Sequence, residues 1–317
     1  MNRPRRAAAG PEWAGTRRQR KRRPAGPAWA VGWIVWLALV GPSVAVGQPA
    51  PAPRIVSLAP HLTELAYEAG IGDHLVGAVE WSDHPEPAQR LPRIGDAFRF
   101  DPERILALDA THALVWTGGT PAAAIEQIGA LGIVVIEIET RTLDQIGSAL
   151  ETLAALGDRA RTGGRAADRY RAALAARRAR ASDPTEALRV FYQVSARPLF
   201  TLGGRHVINE VFALCGASNV FADLDVEAAS VGAEAVLDAE IDLVLVGLGP
   251  GEAEPQSRAR EAVHSALQQD RCLPVLGVEA GPLVRPTPRI LEAADRLCDR
   301  LDALRAVEDP ACENDRN

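Results

Sequence analysis

Residues 54–79 read RIVSLAPHLTELAYEAGIGDHLVGAV, and the order of patterns within them sets the fold class. Arg54 to Leu58 is a short apolar run closed by Ala59-Pro60, which predicts a strand and then a turn. Thr63 opens a helical pattern through Leu65, Ala66 and Ala69 that stops at Gly70 and Gly72. Leu75 to Val79 predicts a second strand. The alternation continues downstream. Asp101-Pro102-Glu103 starts a helix with proline at its first position, where the missing N–H does no harm. Ala113 to Trp116 predicts a strand ending at Gly118-Gly119, Pro121 to Leu131 a helix stopped by Gly132, and Ile133 to Ile138 another strand. Strands alternating with helices predict an α/β layer around a largely parallel sheet.

Leu143 to Leu156 and then Asp158 to Ala181 read as helical. The second stretch would run about 36 Å at 1.5 Å per residue, although Gly163-Gly164 weakens it. Ser182-Asp183-Pro184 closes it, and the α/β pattern resumes. Leu188 to Val194, Leu243 to Val246 and Pro274 to Val278 predict strands, and Val207 to Cys215 a helix. Arg289 to Leu304 predicts a closing helix with Leu291, Ala294, Leu297, Cys298 and Leu301 on one face.

The two halves repeat each other. TELAYEAG (Thr63 to Gly70) aligns with NEVFALCG (Asn209 to Gly216). Glu103 heads a helix with apolar Ile105 and Leu106 behind it, and Glu234 heads another with Val236 and Leu237 in the same places. A two-fold repeat joined by one long helix predicts two equivalent α/β lobes, and ligand sites favour the cleft between such lobes. The expected boundaries are a first lobe at 54–157, a connecting helix at 158–183 and a second lobe at 184–306, with a tail at 307–317.

The charge balance is split along the chain. Of the 35 Lys and Arg, nine fall within residues 1–47, against one of the 41 acids, Glu12. The remainder, 26 basic and 40 acidic residues, carries a net charge of −14. A body that acidic argues against nucleic acid as a partner. The basic block from Arg17 to Arg23 precedes an apolar run from Ala28 to Val40. Ala45 and Gly47 then supply small residues two apart. This order predicts a secretory signal over residues 1–47, cleaved before Gln48, with a short leader at 48–53. The apolar run is short for a full membrane span. Export permits disulfides among Cys215, Cys272, Cys298 and Cys312. Spacing alone leaves three pairings open, and without a CxxC pair it gives no zinc signal.

The stretches IVSLAPHLTELAYEAG, VEWSDHP, DPERILALDATHALVWTGG, VINEVFALCGASNVF and RPTPRILEAADRLC resemble the class III periplasmic binding proteins. These are the helical-backbone receptors for cobalamin, ferric siderophores and haem, and the likeness is strongest to the receptors of cobalamin uptake. It runs from Arg54 to about Leu304. The resemblance implies two Rossmann-like lobes on a rigid backbone helix, a shallow cleft, and a monomer that delivers its ligand to the permease dimer of an ABC importer. It implies no resident cofactor, since the corrinoid is cargo. It assigns Glu103 and Glu234 to contact with the permease, although a glutamate in a first helical turn also complements the helix dipole. For the cleft it implies Pro60, Trp81, Trp116, Phe200 and Arg285: aromatic faces for a large planar ligand and an arginine for its anionic or amide edge. It pairs Cys215 with Cys298, which leaves Cys272 and Cys312 for a second bridge. The chain departs from the cobalamin pattern at Ala97, Ala228, Gly281 and Pro282, where further aromatic or acidic contacts would be expected. Phe98 and Phe100 are candidate replacements for the first.

Other classes have weaker support. A metal-ion or haem receptor would draw on His61 and His84, on loops near the expected cleft, yet none of the six histidines shows ligand spacing with a Cys or acid. An exported hydrolase would draw on Ser57, His61 and Glu64, but there is no Gly-x-Ser-x-Gly elbow. No phosphate-binding loop is present, so the chain is not the ATPase, and an enzymatic role is not expected.

Overall fold

The computed structural model describes residues 51–96, 99–181, 187–249 and 273–306. The expected signal segment, Ala97, Phe98, Cys272, Cys312 and the tail all lie outside them. β1 (Ile55–Ser57) is buried throughout and sits inside a parallel sheet with β2 (Leu75–Ala78), β3 (His112–Trp116) and β4 (Val134–Ile138), in the order β2-β1-β3-β4. α1 (Pro60–Glu68) returns the chain from β1 to β2, and the short α2 (Pro102–Ala107) leads into β3. Asp101 caps α2 by accepting a hydrogen bond from the Arg104 N–H, with Pro102 at the first position as the sequence predicts. α3 (Ala122–Ala130) crosses from β3 to β4.

α4 (Leu143–Leu156) has the predicted bounds. Its N-terminus is a capping box in which Thr142 accepts from the Gln145 N–H and the Gln145 side chain accepts from the Thr142 N–H. α5 (Ala160–Arg178) is the connecting helix, 19 residues or about 28 Å long. It starts later than the predicted Asp158–Ala181 because Asp158, at φ 56°, belongs to the turn after α4, and it ends earlier, at Arg178, where the Arg180 N–H turns back to the Arg177 carbonyl. Gly163 is tolerated for a packing reason. A Cβ there would lie 2.2 Å from the Ala154 Cβ, so glycine lets α5 press on α4.

The second sheet repeats the topology of the first. β5 (Leu188–Ala196) pairs in parallel with β7 (Ala217–Asn219) on one side and with β9 (Leu243–Leu248) on the other, and β9 pairs with β10 (Val275–Glu279). The order β7-β5-β9-β10 therefore matches β2-β1-β3-β4. α6 (Ile208–Leu214) and the short α7 (Ala233–Asp238) stand where α1 and α2 stand. Gly70 and Gly216 close α1 and α6 with φ of 83° and 63°. The second sheet is mixed, however, because β6 (Leu199–Leu202) and β8 (Ala228–Ser230) add to it antiparallel. The chain ends in α8 (Ala280–Val284) and α9 (Ile290–Arg305).

One continuous apolar core runs from the first sheet through α4 and α5 into the second. It includes Ile55, Leu65, Leu150, Leu153, Tyr170, Leu174, Tyr192, Phe212 and Leu297. Each fully buried aliphatic side chain contributes about 1.5–3 kcal/mol. The lobes are thus packed through the connecting helix rather than tethered by a loose linker. Cys215 at the end of α6 and Cys298 in α9 form the expected disulfide, with Cα atoms 4.6 Å apart.

Candidate site in the cleft between the lobes

In a parallel sheet of order 2-1-3-4 the chain leaves β1 and β3 in opposite directions, and a crevice opens at their carboxyl ends. The segments that follow these strands line one wall of a cavity of about 610 Å³: Leu58 and Ala59 after β1, and Trp116, Gly118, Gly119 and Thr120 at the end of β3, with Arg141 from the β4–α4 loop. The second lobe supplies the other wall, with Phe200 and Leu202 on β6, Arg205 and His206 before α6, and Asp225 to Ala228 leading into β8. The β6–β8 addition to the second sheet therefore builds this wall.

Trp116 is held in place from behind. Gly119 leaves room for the indole, since a Cβ there would lie 1.8 Å from its Cε3. The His61 ring meets the indole edge-on, with centroids 5.0 Å apart and planes at 83°. His61 is buried and its Nε2 lies 3.4 Å from the Thr140 Oγ1. Burial, with smaller effects from Arg285 and His206, pushes its pKa down to about 3. His206 is also buried, which pushes its pKa down to about 4. Its Nδ1 accepts the Ile208 N–H at 3.1 Å, so the neutral ring carries its proton on Nε2.

Two charge pairs lie in the lining. Arg205 and Asp225 meet at 2.5 and 2.6 Å. Arg141 and Glu227 come from opposite walls, with Nε and Oε1 3.3 Å apart. Burial pushes the Glu227 carboxyl up, against the pull of Arg141 and Arg205.

Of the residues expected in the cleft, Trp116 and Phe200 share this cavity. Pro60 is the half-buried first residue of α1, beside the lining residue Ala59. Trp81 is 70% exposed and holds a φ of 64°, unusual for a bulky side chain. Arg285 donates to the Asp83 carboxylate at 2.5 Å and to the Trp81 carbonyl at 3.2 Å. It ties the second lobe to the Trp81 loop. Burial pushes the Asp83 carboxyl up, but Arg285, a backbone hydrogen bond and Arg289 together outweigh it and hold the carboxyl below its usual range. Glu103 and Glu234 are exposed, each the second residue of its short helix. Ala228 lines the cavity, Gly281 and Pro282 fall in α8, and Phe100 packs against the core of the first lobe.

The hydrolase grouping does not assemble. The Ser57 hydroxyl donates to the Ala59 carbonyl at 3.0 Å, and Glu64 is bound to Arg289 at 2.8 and 2.9 Å. Among the described residues no group of three His, Cys, Asp or Glu is placed to hold a metal ion. Sequence reasoning missed the polar lining of Arg141, Arg205, His206, Asp225 and Glu227. One signal was available in Gly203-Gly204. A Cβ at Gly204 would lie 2.0 Å from the Ala222 carbonyl oxygen, so this pair lets Arg205 approach the loop carrying Asp225.

A cleft between two repeated α/β lobes on a helical backbone defines a solute receptor, and the chain belongs to the periplasmic binding protein family, which matches residues 55–270. Proteins of this family are periplasmic and serve ABC import systems. The chain is 36% identical over 256 residues to the vitamin B12-binding protein of Vibrio cholerae serotype O1, which spans 81% of this chain and 91% of the relative. The crystal structure of the periplasmic vitamin B12-binding protein of Vibrio cholerae superimposes with a TM-score of 0.70 at 34% identity, covering 81% of this chain and 99% of that one. The apo form of the periplasmic haem-binding protein of Roseiflexus sp. RS-1 shares the fold, with a TM-score of 0.64 at 24% identity over 78% of this chain and 97% of that one.

Proposed function

We propose that this protein captures cobalamin or a closely related corrinoid in the interlobe cleft and delivers it to the permease dimer of an ABC importer. The observation that carries the reading is the cavity itself. It joins Trp116 of one lobe to Phe200 of the other around about 610 Å³, a volume in the range of small-molecule sites. Aromatic walls suit the face of a large macrocycle, and the polar groups between them suit its edge. Similarity to vitamin B12-binding proteins over most of the chain supports the same ligand class.

Capture needs no bond-making chemistry. Pro60, Trp81, Trp116 and Phe200 supply apolar contact. Arg285 serves the site by holding the Trp81 loop through the Trp81 carbonyl and Asp83. The shared core limits lobe motion, so the ligand meets a largely formed site. Glu103 and Glu234, one per lobe in equivalent places, orient the loaded receptor on basic patches of the permease. The protein acts as a monomer in the periplasm after removal of residues 1–47, and it is a receptor rather than an enzyme.

A gel-filtration experiment tests the reading. Protein mixed with cyanocobalamin should carry the corrinoid's visible absorbance through the column at one equivalent. Elution of colourless protein ahead of free corrinoid would refute it.

A further inference from the structure

We propose that Arg141 and Glu227, facing each other across the cleft, make the site select chelates edged with neutral carboxamides over chelates edged with carboxylates. This rests on the corrinoid reading and specifies which edge chemistry the cleft accepts. The two side chains come from different lobes, and both line the cavity. They are 31% and 17% exposed, with Nε and Oε1 3.3 Å apart. That approach is close enough for charge attraction, yet its geometry makes no hydrogen bond. Arg141 Nε and Glu227 Oε1 are both buried without a hydrogen-bond partner. Buried polar atoms in that state are a standing cost that a ligand can relieve.

A carboxamide offers a carbonyl oxygen to the guanidinium and an N–H to the carboxylate, so one group satisfies both sides. A carboxylate offers two acceptors and no donor. It could bond Arg141 only by bringing its charge against Glu227. The rest of the lining does not compensate. Arg205 is bound to Asp225 through two hydrogen bonds, and His206 is neutral. The lining therefore holds two cations and two anions, with no surplus positive charge for an anionic edge.

The test is competition calorimetry on the full chain with cyanocobalamin and its three monocarboxylic acids, each with one propionamide hydrolysed. The wild type should bind at least one acid about tenfold or more weakly than cyanocobalamin, a difference of about 1.4 kcal/mol. Glu227→Gln should shrink that ratio at least about fivefold, and Arg141→Gln should widen it. The second variant keeps the test alive if the first fails to fold. Equal binding of all three acids and cyanocobalamin, or an unchanged ratio in both variants, overturns the proposal. Failure of the wild type to bind cyanocobalamin at all overturns the corrinoid reading instead.

Discussion

Glu64 in α1 and Arg289 at the head of α9 form a two-pronged ion pair at 2.8 and 2.9 Å across the two halves of the molecule. The Glu64 side chain is 1% exposed. Its repeat-equivalent, Glu210 in α6, reaches the other way, accepting from the Leu143 N–H at 3.2 Å and from Arg178 at 3.3 Å. Each lobe thus sends one glutamate from the same position of the same helix toward the opposite half or the connecting helix.

The partners of the buried pair should be unequal. Arg289→Ala strands a carboxylate in the core and should cost about 2–3 kcal/mol, a figure reduced from the usual range because the arginine is partly exposed. Glu64→Gln removes the buried charge and should cost about 1–2 kcal/mol. Glu210→Gln, in a more exposed place, should cost under about 1 kcal/mol. Urea unfolding of the three variants checks the order, and equal losses would contradict it.

The Cys215–Cys298 bond closes a loop with a sequence separation of 83. Replacing both cysteines with serine should lower stability by about 2–4 kcal/mol. Corrinoid affinity should change little, because the bond lies on α6 and α9, outside the cavity lining. Thermal unfolding and ligand titration of the double variant read the two effects separately.

The two buried histidines predict acid sensitivity. In the folded protein His61 and His206 stay neutral down to about pH 3 and pH 4. In the unfolded chain they take up protons below about pH 6.5. The unfolded state then binds more protons, so stability is fully present above pH 6.5 and falls as pH drops below it. The slope should be about 1.4 kcal/mol per pH unit for each histidine. Unfolding midpoints between pH 7 and pH 5 measure it, and His206→Asn should roughly halve the slope. A flat profile in the wild type would contradict the burial of both rings.

Gly119→Ala places a methyl group where the Trp116 indole lies. The ring must move, so corrinoid affinity should fall about tenfold or more, with a shift in tryptophan emission. Unchanged affinity would remove Trp116 from the site.

The exposed glutamates give a separate outcome. The double variant Glu103→Lys, Glu234→Lys should leave corrinoid affinity intact and abolish uptake through the permease. Normal uptake would sink the docking role.

Much of the fold was legible because its punctuation is chemical. Pro102, Gly70 and Gly132 mark helix ends, and α4 falls on the expected Leu143–Leu156, but Pro60, read as a turn before a helix opening at Thr63, is itself the first residue of α1. The strands β6 and β8 were not foreseen. Ala228–Ser230 carries no apolar alternation, and its pairing depends on a partner far away in sequence. The site divides the same way. Trp116 stood out as a rare aromatic at a strand end, whereas Phe200, on the unforeseen β6, came only from the family resemblance. Arg141 and Glu227 look like ordinary loop charges until the lobes bring them together. The expectation that Arg285 faces the ligand came from family resemblance, and local pattern carries no sign of Asp83 as its partner, 202 positions away. The Cys215–Cys298 pairing came from family resemblance, since spacing left three choices.

The most direct test of the corrinoid receptor is isothermal titration calorimetry of the purified protein with cyanocobalamin, dicyanocobinamide and haemin. The account predicts saturable one-to-one binding of cyanocobalamin and markedly weaker binding of haemin, whose edge carries carboxylates. Haemin bound more tightly than both corrinoids, or no heat with either corrinoid, would contradict it.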